Sequence, residues 1–456
     1  MNIVKINGDF MTPLKFYLIT DTHYFEESLG AEGKAYEEYM KTEAFYLKES
    51  SAINKAVFKK LKEDAETDLI IIPGDLSKDG EYESHKSLVK ELNALKESGK
   101  RIFVITAGHD YNEFGRSYKN DEFVKVKGTE FKELYDLYYE FGYRQALSVD
   151  EETLSYVAEI AENTRILALN CDSNNETKGT IDDRLLKWAK EQLDKAKADN
   201  AYVVAMCHYP VIPSVPVFDL VGDAHVKNWR EIATFLADNG VELVLTGHMH
   251  IQSINEFVTE NGNKIYDICT ATTVGTPGKY RRIEIDENGK MDVESIPVCG
   301  FPIPEKFKSE EEFFDWRFDY SVKNKINKIL DGGSGIVKIL KKIGGKVLNS
   351  IKLGTLSKIL FIRIDKSLKK KKLIDFAGEI GTAIFKGDQP FTQGTPEYDA
   401  VLKALNRFGF VLKKVEPKLS KNGINVDLKN MILNTIGNNK GYSDNDTTIN
   451  LKGNNL

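Results

Sequence analysis

Residues 241–250 read VELVLTGHMH, a run of β-forming residues that ends in two histidines. Four other short apolar runs of the chain also end in polar clusters. Runs that are apolar almost throughout predict strands covered on both faces. The five runs are Leu14–Thr20, followed by Asp21 and His23; Leu69–Ile72, followed by Gly74 and Asp75; Arg101–Ala107, followed by Gly108, His109 and Asp110; Ala201–Cys207, followed by His208; and Val241–Thr246, followed by Gly247, His248 and His250.

These clusters predict one site assembled from distant parts of the chain. In an open α/β sheet, the ligand-binding crevice lies beyond the carboxyl ends of the strands. Carboxylates suit hard cations and imidazoles suit Zn, Fe and Mn, while no thiolate motif competes with them. A lone Asp-x-His, Gly-Asp or buried His is more often a turn or a hydrogen-bonded core residue. The combination of five strand-end clusters therefore indicates metal-assisted chemistry.

The order of these clusters resembles that of the calcineurin-like metallophosphoesterases, whose pattern is D-x-H, G-D, G-N-H-[DE], H and G-H-x-H. The resemblance covers roughly residues 14–300. It implies a four-layer α/β/β/α sandwich with two divalent metal ions at the strand ends, hydrolysing phosphomonoesters or phosphodiesters. It also implies a ligand set with one shared carboxylate: Asp21, His23 and His250 for the first ion, His208 and His248 for the second, and Asp75 bridging both.

A two-metal site needs these kinds of residue. Two cations about 3.5–4 Å apart bind phosphoryl oxygens and lower the pKa of a bridging water, whose hydroxide is the expected nucleophile. Asp75 is the acid placed to reduce their mutual repulsion. The resemblance puts His109 over the leaving group as general acid, a role that suits imidazole near neutral pH. Asp110 and Asp79 are the candidates to orient His109. Lys78 stands where some relatives carry that acid, so the partner stays open.

The third cluster departs from the family pattern, because Gly108 stands where the family has Asn. Glycine has no side chain to coordinate, so the second metal ion is expected to bind more weakly than the first. Three outcomes stay open: a site completed by water, a site completed by Asn112 or Asp110, or an enzyme with one metal ion. Gly108→Asn is expected to tighten the second site unless Gly108 has a positive φ.

Composition fits an enzyme with a substantial core. The chain has 456 residues and 41% hydrophobic content, enough for two or three domains. Its 4 cysteines form no close pair, which argues against a disulfide framework or a Cys-based zinc site. The sequence shows no apolar signal segment, so a cytoplasmic location is the default expectation. An exported protein would look the same without its signal peptide, and the oligomeric state stays open.

Charge divides the chain near residue 300. The net charge is −6, yet residues 321–390 hold 16 Lys or Arg against 5 Asp or Glu. We therefore predict a catalytic domain over residues 1–300 and a basic, mainly helical accessory domain over residues 301–456. The tail from Asn438 is expected to be a loop or a poorly ordered end. Apolar periodicity predicts four short amphipathic helices in the accessory domain: Ile336–Ile343, Val347–Ile351, Leu356–Ile364 and Ser367–Phe385.

The basic region suits two partners. Its helices are expected to dock on the acidic catalytic domain through charge complementarity, with an anionic membrane surface as the alternative. The run Lys369–Lys372 lacks interleaved aromatic residues, so no nucleic-acid partner is expected. Two alternatives to a phosphoesterase remain: a catalytically weak binding protein of the same fold, and a membrane-surface or partner-binding protein that acts through the basic region.

Three segments between the motifs are expected to shape the substrate pocket. Residues 30–64 predict one or two charged helices. Helical spacing of aromatic residues over Phe131–Phe141 predicts packing against the core. Residues 211–227 predict a loop over the metal ions. Arg116 and His225 are candidate substrate contacts, for which a solvated arginine and a surface histidine are the competing interpretations.

Overall fold

The computed structural model describes residues 12–119, 121–174, 177–332, 351–420 and 426–451. The strands within these residues are, in chain order, β1 (Leu14–Leu18), β2 (Leu69–Pro73), β3 (Arg101–Ile105), β4 (Phe114–Lys119), β5 (Glu122–Lys127), β6 (Ala146–Asp150), β7 (Ser155–Ala161), β8 (Thr164–Leu169), β9 (Tyr202–Cys207), β10 (Leu243–Thr246), β11 (Ser253–Val258), β12 (Lys264–Cys269), β13 (Lys279–Ile285), β14 (Lys290–Pro297) and β15 (Thr447–Asn450).

The α-helices of the same residues are α1 (Gly33–Met40), α2 (Ser50–Glu63), α3 (Tyr82–Glu97), α4 (Glu133–Leu137), α5 (Asp183–Ala198), α6 (Trp229–Asp238), α7 (Glu310–Gly332), α8 (Leu353–Ile359), α9 (Leu373–Lys386), α10 (Pro396–Arg407), α11 (Gly409–Leu419) and α12 (Leu428–Ile436). The predicted helices Ile336–Ile343 and Val347–Ile351 fall outside the described residues, apart from Ile351, which is not helical. The helices predicted within residues 30–64 are confirmed as α1 and α2.

Two mixed sheets form the centre of the fold. Sheet one has the strand order β15-β14-β13-β1-β2-β3, and sheet two has the order β11-β12-β10-β9-β8-β7-β6. Strands β1, β2 and β3 are parallel, and so are β8, β9, β10 and β12. All five apolar runs of the sequence are strands. Because they are parallel within each sheet, their carboxyl ends lie at one edge of it, where the polar clusters follow.

The two sheets pack face to face, with helices on both outer faces. On β10, Leu243 and Leu245 join the buried cluster that contains Phe16 of β1, whereas Val244 joins a second cluster with residues of α5 and α6. Helices α2 and α3 cover the outer face of sheet one through residues such as Val57 and Leu92. The predicted four-layer α/β/β/α sandwich is therefore confirmed. Each fully buried aliphatic side chain contributes roughly 1.5–3 kcal/mol of transfer free energy to this core.

An insertion between β3 and β6 lies next to the carboxyl end of sheet one. It contains the hairpin β4–β5 and the short helix α4. Leu134, Tyr138 and Phe141 are buried in the main core and Phe131 packs against it, which confirms the predicted core packing. The helix is shorter than the segment Phe131–Phe141, because the chain turns after α4 to enter sheet two.

The C-terminal helices contact the sandwich through aromatic packing. The ring of Phe313 on α7 stacks on Tyr46 with centroids 3.7 Å apart, and the Tyr46 hydroxyl donates to the Phe313 carbonyl at 2.8 Å. Helix α9 packs against α7, where the rings of Phe318 and Phe385 are 4.6 Å apart. These contacts hold the helical region against the catalytic part. In the described part of the chain, no helix is both long and apolar enough to cross a membrane.

Two predicted helix boundaries in this region are wrong. The predictions Leu356–Ile364 and Ser367–Phe385 correspond to α8 and α9, which leave residues 360–372 in turns. An Asp side chain explains part of this difference. The Asp365 carboxylate accepts hydrogen bonds from the Ser367 amide and hydroxyl, and such a turn competes with helix.

The prediction of a loop or a poorly ordered end from Asn438 is correct only in part, because residues 438–446 form a loop but Thr447–Asn450 form a strand. Strand β15 pairs antiparallel with β14 and extends sheet one. The Asp444 side chain is fully buried, and its carboxylate accepts from the Ile254 amide at 2.8 Å. The polar residues of the tail bond to one another and to the sandwich rather than to water. The division of the chain near residue 300 stays a prediction, because segments from both sides of it share sheet one.

Candidate metal centre

Six of the predicted site residues meet where the two sheets present their carboxyl ends. Their possible ligand atoms form two groups, each with all atoms within 4.8 Å of one another. Group one is Asp21, His23 and His250, and group two is Asp75, His208 and His248. Asp21, His23, Asp75 and His208 are buried, whereas His248 and His250 are partly exposed. The loops that follow β1, β2, β9 and β10 bring them together.

The backbone at these residues is strained. Positive φ angles occur at Asp21 (50°), His23 (36°), Asp75 (50°), His248 (66°) and His250 (57°). Non-glycine residues adopt this region rarely, at a cost of order 1–3 kcal/mol each. Such strain is characteristic of functional sites, where the surrounding structure holds side chains in a required direction.

In group one, three polar atoms converge on one point. The Nε2 atoms of His23 and His250 are 3.0 Å apart, and His250 Nε2 is 3.2 Å from Asp21 Oδ1. The His23 ring stacks on Phe45, with centroids 4.9 Å apart, which fixes its plane. Asp21 Oδ2 accepts from the Thr20 hydroxyl at 2.6 Å. Two imidazole nitrogens and a carboxylate oxygen so placed match the donor set of a transition-metal ion.

In group two, hydrogen bonds to main-chain carbonyls orient both imidazoles. His208 Nδ1–H donates to the Pro73 carbonyl at 2.7 Å, which leaves Nε2 as the ligand atom. His248 Nε2–H donates to the Asp223 carbonyl at 2.7 Å, which leaves Nδ1. Such partners fix the tautomer of histidines that bind metals. The buried His208 Nε2 makes no hydrogen bond, so its lone pair is free for a cation.

Asp75 lies between the two groups. Its Oδ2 atom is 3.0 Å from His208 Nε2 and 3.9 Å from His23 Nε2. Burial by itself would raise the pKa of Asp75, but the neighbouring imidazoles, chiefly those of His208 and His109, outweigh it. The pKa is therefore well below its usual value. An ionised carboxylate in this position has the geometry of a bridging ligand.

Gly247 permits the close approach of the strand-end loops. A Cβ atom at this position would lie 2.0 Å from the Thr20 hydroxyl oxygen and 2.4 Å from Asp21 Oδ2. Any other residue would therefore push the loop that carries His248 and His250 away from Asp21.

His109 lies at the rim of this centre. Its Nδ1–H donates to the Lys78 carbonyl at 2.6 Å, and Asp79 Oδ1 is 3.5 Å from the same nitrogen. Burial opposes the imidazolium, but the charges of Asp75 and Asp79 outweigh it and raise the pKa of His109 above its usual value. The two partners of Nδ1 leave Nε2 as the free end of the ring.

Asp110 faces the protein rather than His109. Its Oδ1 accepts from the Ser77 amide and its Oδ2 from the Ala107 amide, both at 2.8 Å. The sequence leaves Asp110 and Asp79 as candidates to orient His109, and Asp79 is the one that lies beside it. Asp110 ties the loop after β2 to the loop after β3, and burial raises its pKa to about 7.

The candidate substrate contacts differ in position. Arg116 on β4 is partly exposed, and its Nε is 3.7 Å from Asp79 Oδ2, which brings it near His109. His225 is buried, so its interpretation as a surface residue is wrong. Its Nδ1 lies 2.8 Å from the Val226 carbonyl oxygen. The loop prediction for residues 211–227 holds except for a short 3-10 helix, Pro216–Leu220.

Sequence reasoning missed a role for the side chain of Lys78. It is buried, its Nζ is 3.0 Å from Asp79 Oδ1, and it lies 5.4 Å from the centre of the Phe45 ring. Burial opposes its charge, but Tyr39 and Asp79 raise its pKa above the usual value. The buried ammonium group of Lys78 thus lies beside Asp79, which neighbours His109, and beside Phe45, on which His23 stacks. No sequence signal distinguishes it from the exposed lysines.

The sequence model of a family described as calcineurin-like phosphoesterase matches residues 14–252. A dimetal phosphatase from Danio rerio is similar in structure, with 13% identity and a TM-score of 0.46, over 63% of this chain and 96% of that one. A purple acid phosphatase from yellow lupin seeds has 11% identity and a TM-score of 0.42, over 64% of this chain and 53% of that one. No curated protein matches the sequence.

Proposed function

Because this chain belongs to the calcineurin-like phosphoesterase family, we propose that it hydrolyses phosphoesters with two divalent metal ions held by groups one and two. The position of Asp75 between His23 and His208 carries this proposal. Group one would hold the first ion, His208 and His248 the second, and Asp75 both. The imidazole and carboxylate donors suit Mn, Fe or Zn.

The residues fit such ions well. In His208 and His248, one ring nitrogen donates to a main-chain carbonyl, which fixes the other nitrogen for a metal ion. The His23 ring is held by stacking on Phe45. These imidazoles therefore need little reorganisation when a metal ion binds. When bound, the two cations supply Lewis acidity and an activated water for attack on phosphorus. The chain's own part is to fix the ligand atoms and to hold the phosphoester beside them.

His109 would supply the proton to the leaving group. Its Nδ1 is held by Lys78 and Asp79, so Nε2–H points away from these partners and is available to a leaving oxygen. The raised pKa of His109 favours the protonated ring at neutral pH. Arg116, close to Asp79, is placed to bind a phosphoryl oxygen. Asp110 acts only by positioning the loop that carries His109.

Hydrolysis of two chromogenic esters tests this proposal. The protein loaded with Mn²⁺ should cleave p-nitrophenyl phosphate or bis-(p-nitrophenyl) phosphate, and the ratio of the two rates would assign it as a monoesterase or a diesterase. Removal of metal with a chelator should abolish the activity, and added Mn²⁺ should restore it. Hydrolysis that survives complete metal removal would contradict the proposal.

An exposed patch favours a second function, attachment to an anionic membrane surface. Phe361 is 85% exposed and Ile359 is 58% exposed, both in the segment of residues 358–370. The same segment presents exposed basic side chains, namely Lys358, Arg363, Lys366, Lys369 and Lys370. Apolar side chains flanked by basic ones suit insertion between anionic headgroups, each nearby cation contributing about 1 kcal/mol.

Vesicle sedimentation tests the membrane function. The protein should bind phosphatidylserine vesicles at low salt and not phosphatidylcholine vesicles, with binding lost at high salt. Phe361→Ser should weaken binding by roughly tenfold or more, because it removes the inserted apolar side chain. Phe123→Ser on the hairpin of the catalytic part is the matched control. Equal loss in both variants, or no binding by the intact protein, would rule out this function.

A further inference from the structure

Asp172 is a buried acid beside the metal centre that the mechanism above does not use. It follows β8 and is 3% exposed. Its Oδ2 accepts from the Gly108 amide at 2.7 Å, whereas its buried Oδ1 has no hydrogen-bond partner. Buried polar atoms are almost always hydrogen-bonded, because burying one without a partner is unfavourable, so an unpaired oxygen calls for an explanation.

The electrostatic surroundings of Asp172 point to group two. Burial raises the pKa of its carboxyl, protonated His208 lowers it, and the negative charge of Asp75 raises it again. Both neighbours belong to group two. Successive main-chain amides also hold the two carboxylates, because the Gly108 amide donates to Asp172 Oδ2 at 2.7 Å and the His109 amide donates to Asp75 Oδ1 at 3.3 Å.

Gly108 leaves room for this carboxylate. A Cβ atom at position 108 would lie 2.4 Å from Asp172 Oδ2 and 3.2 Å from its Oδ1. Gly108 is not among the glycines with a positive φ, so its backbone conformation is open to other residues. The Asp172 carboxylate, and not the backbone, therefore excludes a side chain here. It occupies the space into which a side chain of residue 108 would extend.

The two residues that the sequence offered as replacements for an amide at position 108 are not suitable. Both oxygens of Asp110 accept hydrogen bonds from main-chain amides. Asn112 is exposed, and its main-chain amide donates to the Thr129 carbonyl at the base of the hairpin. Neither therefore has a free buried oxygen, whereas Asp172 has Oδ1.

We propose that Asp172 is a further protein ligand of the second metal ion, together with Asp75, His208 and His248. It would supply a carboxylate where the family pattern has an amide at position 108. The inference rests on the proposed function and deepens it. An anionic oxygen attracts a divalent cation more strongly than a neutral amide does, so the second ion should not be the weakly bound one.

Asp172→Asn is the sharpest test. Asn has one side-chain oxygen where Asp has two, so the variant cannot accept from the Gly108 amide and also present an oxygen at the position of Oδ1. The variant should keep one tightly bound Mn²⁺ per chain and bind the second at least roughly tenfold more weakly. Asp150→Asn is the matched control, because that buried acid has partners for both oxygens in Arg184 and should leave both ions bound. Bound metal and dissociation constants are the readouts.

A reciprocal exchange gives the second test. Gly108→Asn alone should weaken the second site, because its Cβ would collide with Asp172. The double variant Gly108→Asn with Asp172→Gly should recover the second ion, with an amide in place of the carboxylate. Thermal unfolding of each metal-free variant shows whether it is folded. If Asp172→Asn does not fold, the double variant still tests the inference.

The outcomes separate this inference from the proposed function. If wild type binds two ions and Asp172→Asn binds both with unchanged affinity, Asp172 is not a ligand, although the proposed function stands. Tighter binding of the second ion by Gly108→Asn alone would also overturn the inference. If wild type binds no divalent ion, both the inference and the proposed function fall.

Discussion

Two clusters of buried polar residues differ in how well the protein itself satisfies them. In the C-terminal tail, Asp388 accepts from Asn438, Ser443 and Asn445, and Asp444 accepts from the Ile254 amide and from Lys440. In the metal centre, His208 Nε2 and Asp172 Oδ1 are buried without a hydrogen-bond partner. The backbone of the metal centre is also strained at five of its six ligand positions.

The difference separates structural from functional polar groups. A polar cluster that is complete within the protein stabilises the fold, because every buried donor or acceptor is paired. A cluster with unpaired buried atoms and strained backbone is complete only when something else binds to it. Asp side chains thus clamp the tail onto sheet one in the first cluster, and they are proposed metal ligands in the second.

The largest expected effect follows from Asp75→Asn. The amide cannot neutralise two cations, so the variant should lose most of its bound metal and all measurable hydrolysis of aryl phosphates. Asp444→Asn is the comparison, since it changes an equally buried acid in the tail cluster and should keep both ions. Metal analysis and initial rates provide the readout. If Asp75→Asn still binds two ions, the metal centre does not differ from the tail cluster in its need for a bound ion.

The next effect is that of His109→Ala, which should separate chemistry from metal binding. Without the proton donor, the rate should fall by about 10²–10⁴-fold, while both metal ions stay bound. An ester with a better leaving group, which needs less protonation, should show a smaller loss. A drop in metal content as complete as that of Asp75→Asn would instead make His109 a ligand.

The smallest effect is expected in the tail. Asp444→Ala leaves the Ile254 and Asp388 amides without their acceptor, so it should lower the free energy of unfolding by about 1–3 kcal/mol. The rate per folded molecule should stay unchanged. Urea unfolding followed by circular dichroism measures the first quantity, and initial rates at low temperature measure the second. A selective loss of rate with unchanged stability would give the tail a role in the metal centre.

Sequence reasoning reached the fold and the six grouped residues because their signals are local. Each apolar run is long enough to predict a buried strand, and each polar cluster follows its run directly. Parallel pairing then places the ends of such runs together within each sheet. The grouping of Asp21 with His250 across the two sheets comes from the resemblance to the family, and the structure has Asp21 Oδ1 and His250 Nε2 3.2 Å apart.

The remaining features depend on contacts that no local pattern carries. Asp172 follows a strand without a histidine beside it, and its bond to Gly108 joins residues 64 positions apart. The partner of His109 Nδ1 is a main-chain carbonyl, which any residue could provide. The tail looked disordered because its Asn, Asp and Gly content favours loops. Its order comes from mutual hydrogen bonds that composition cannot reveal.

The most direct test of the central claim is the number of divalent ions bound by the wild-type chain. After loading with Mn²⁺ and removal of free metal by gel filtration, elemental analysis should find two ions per chain. The same sample should hydrolyse an aryl phosphate or a bis-aryl phosphate. One ion or none in a folded, active protein would contradict a centre built from two ligand groups that share Asp75.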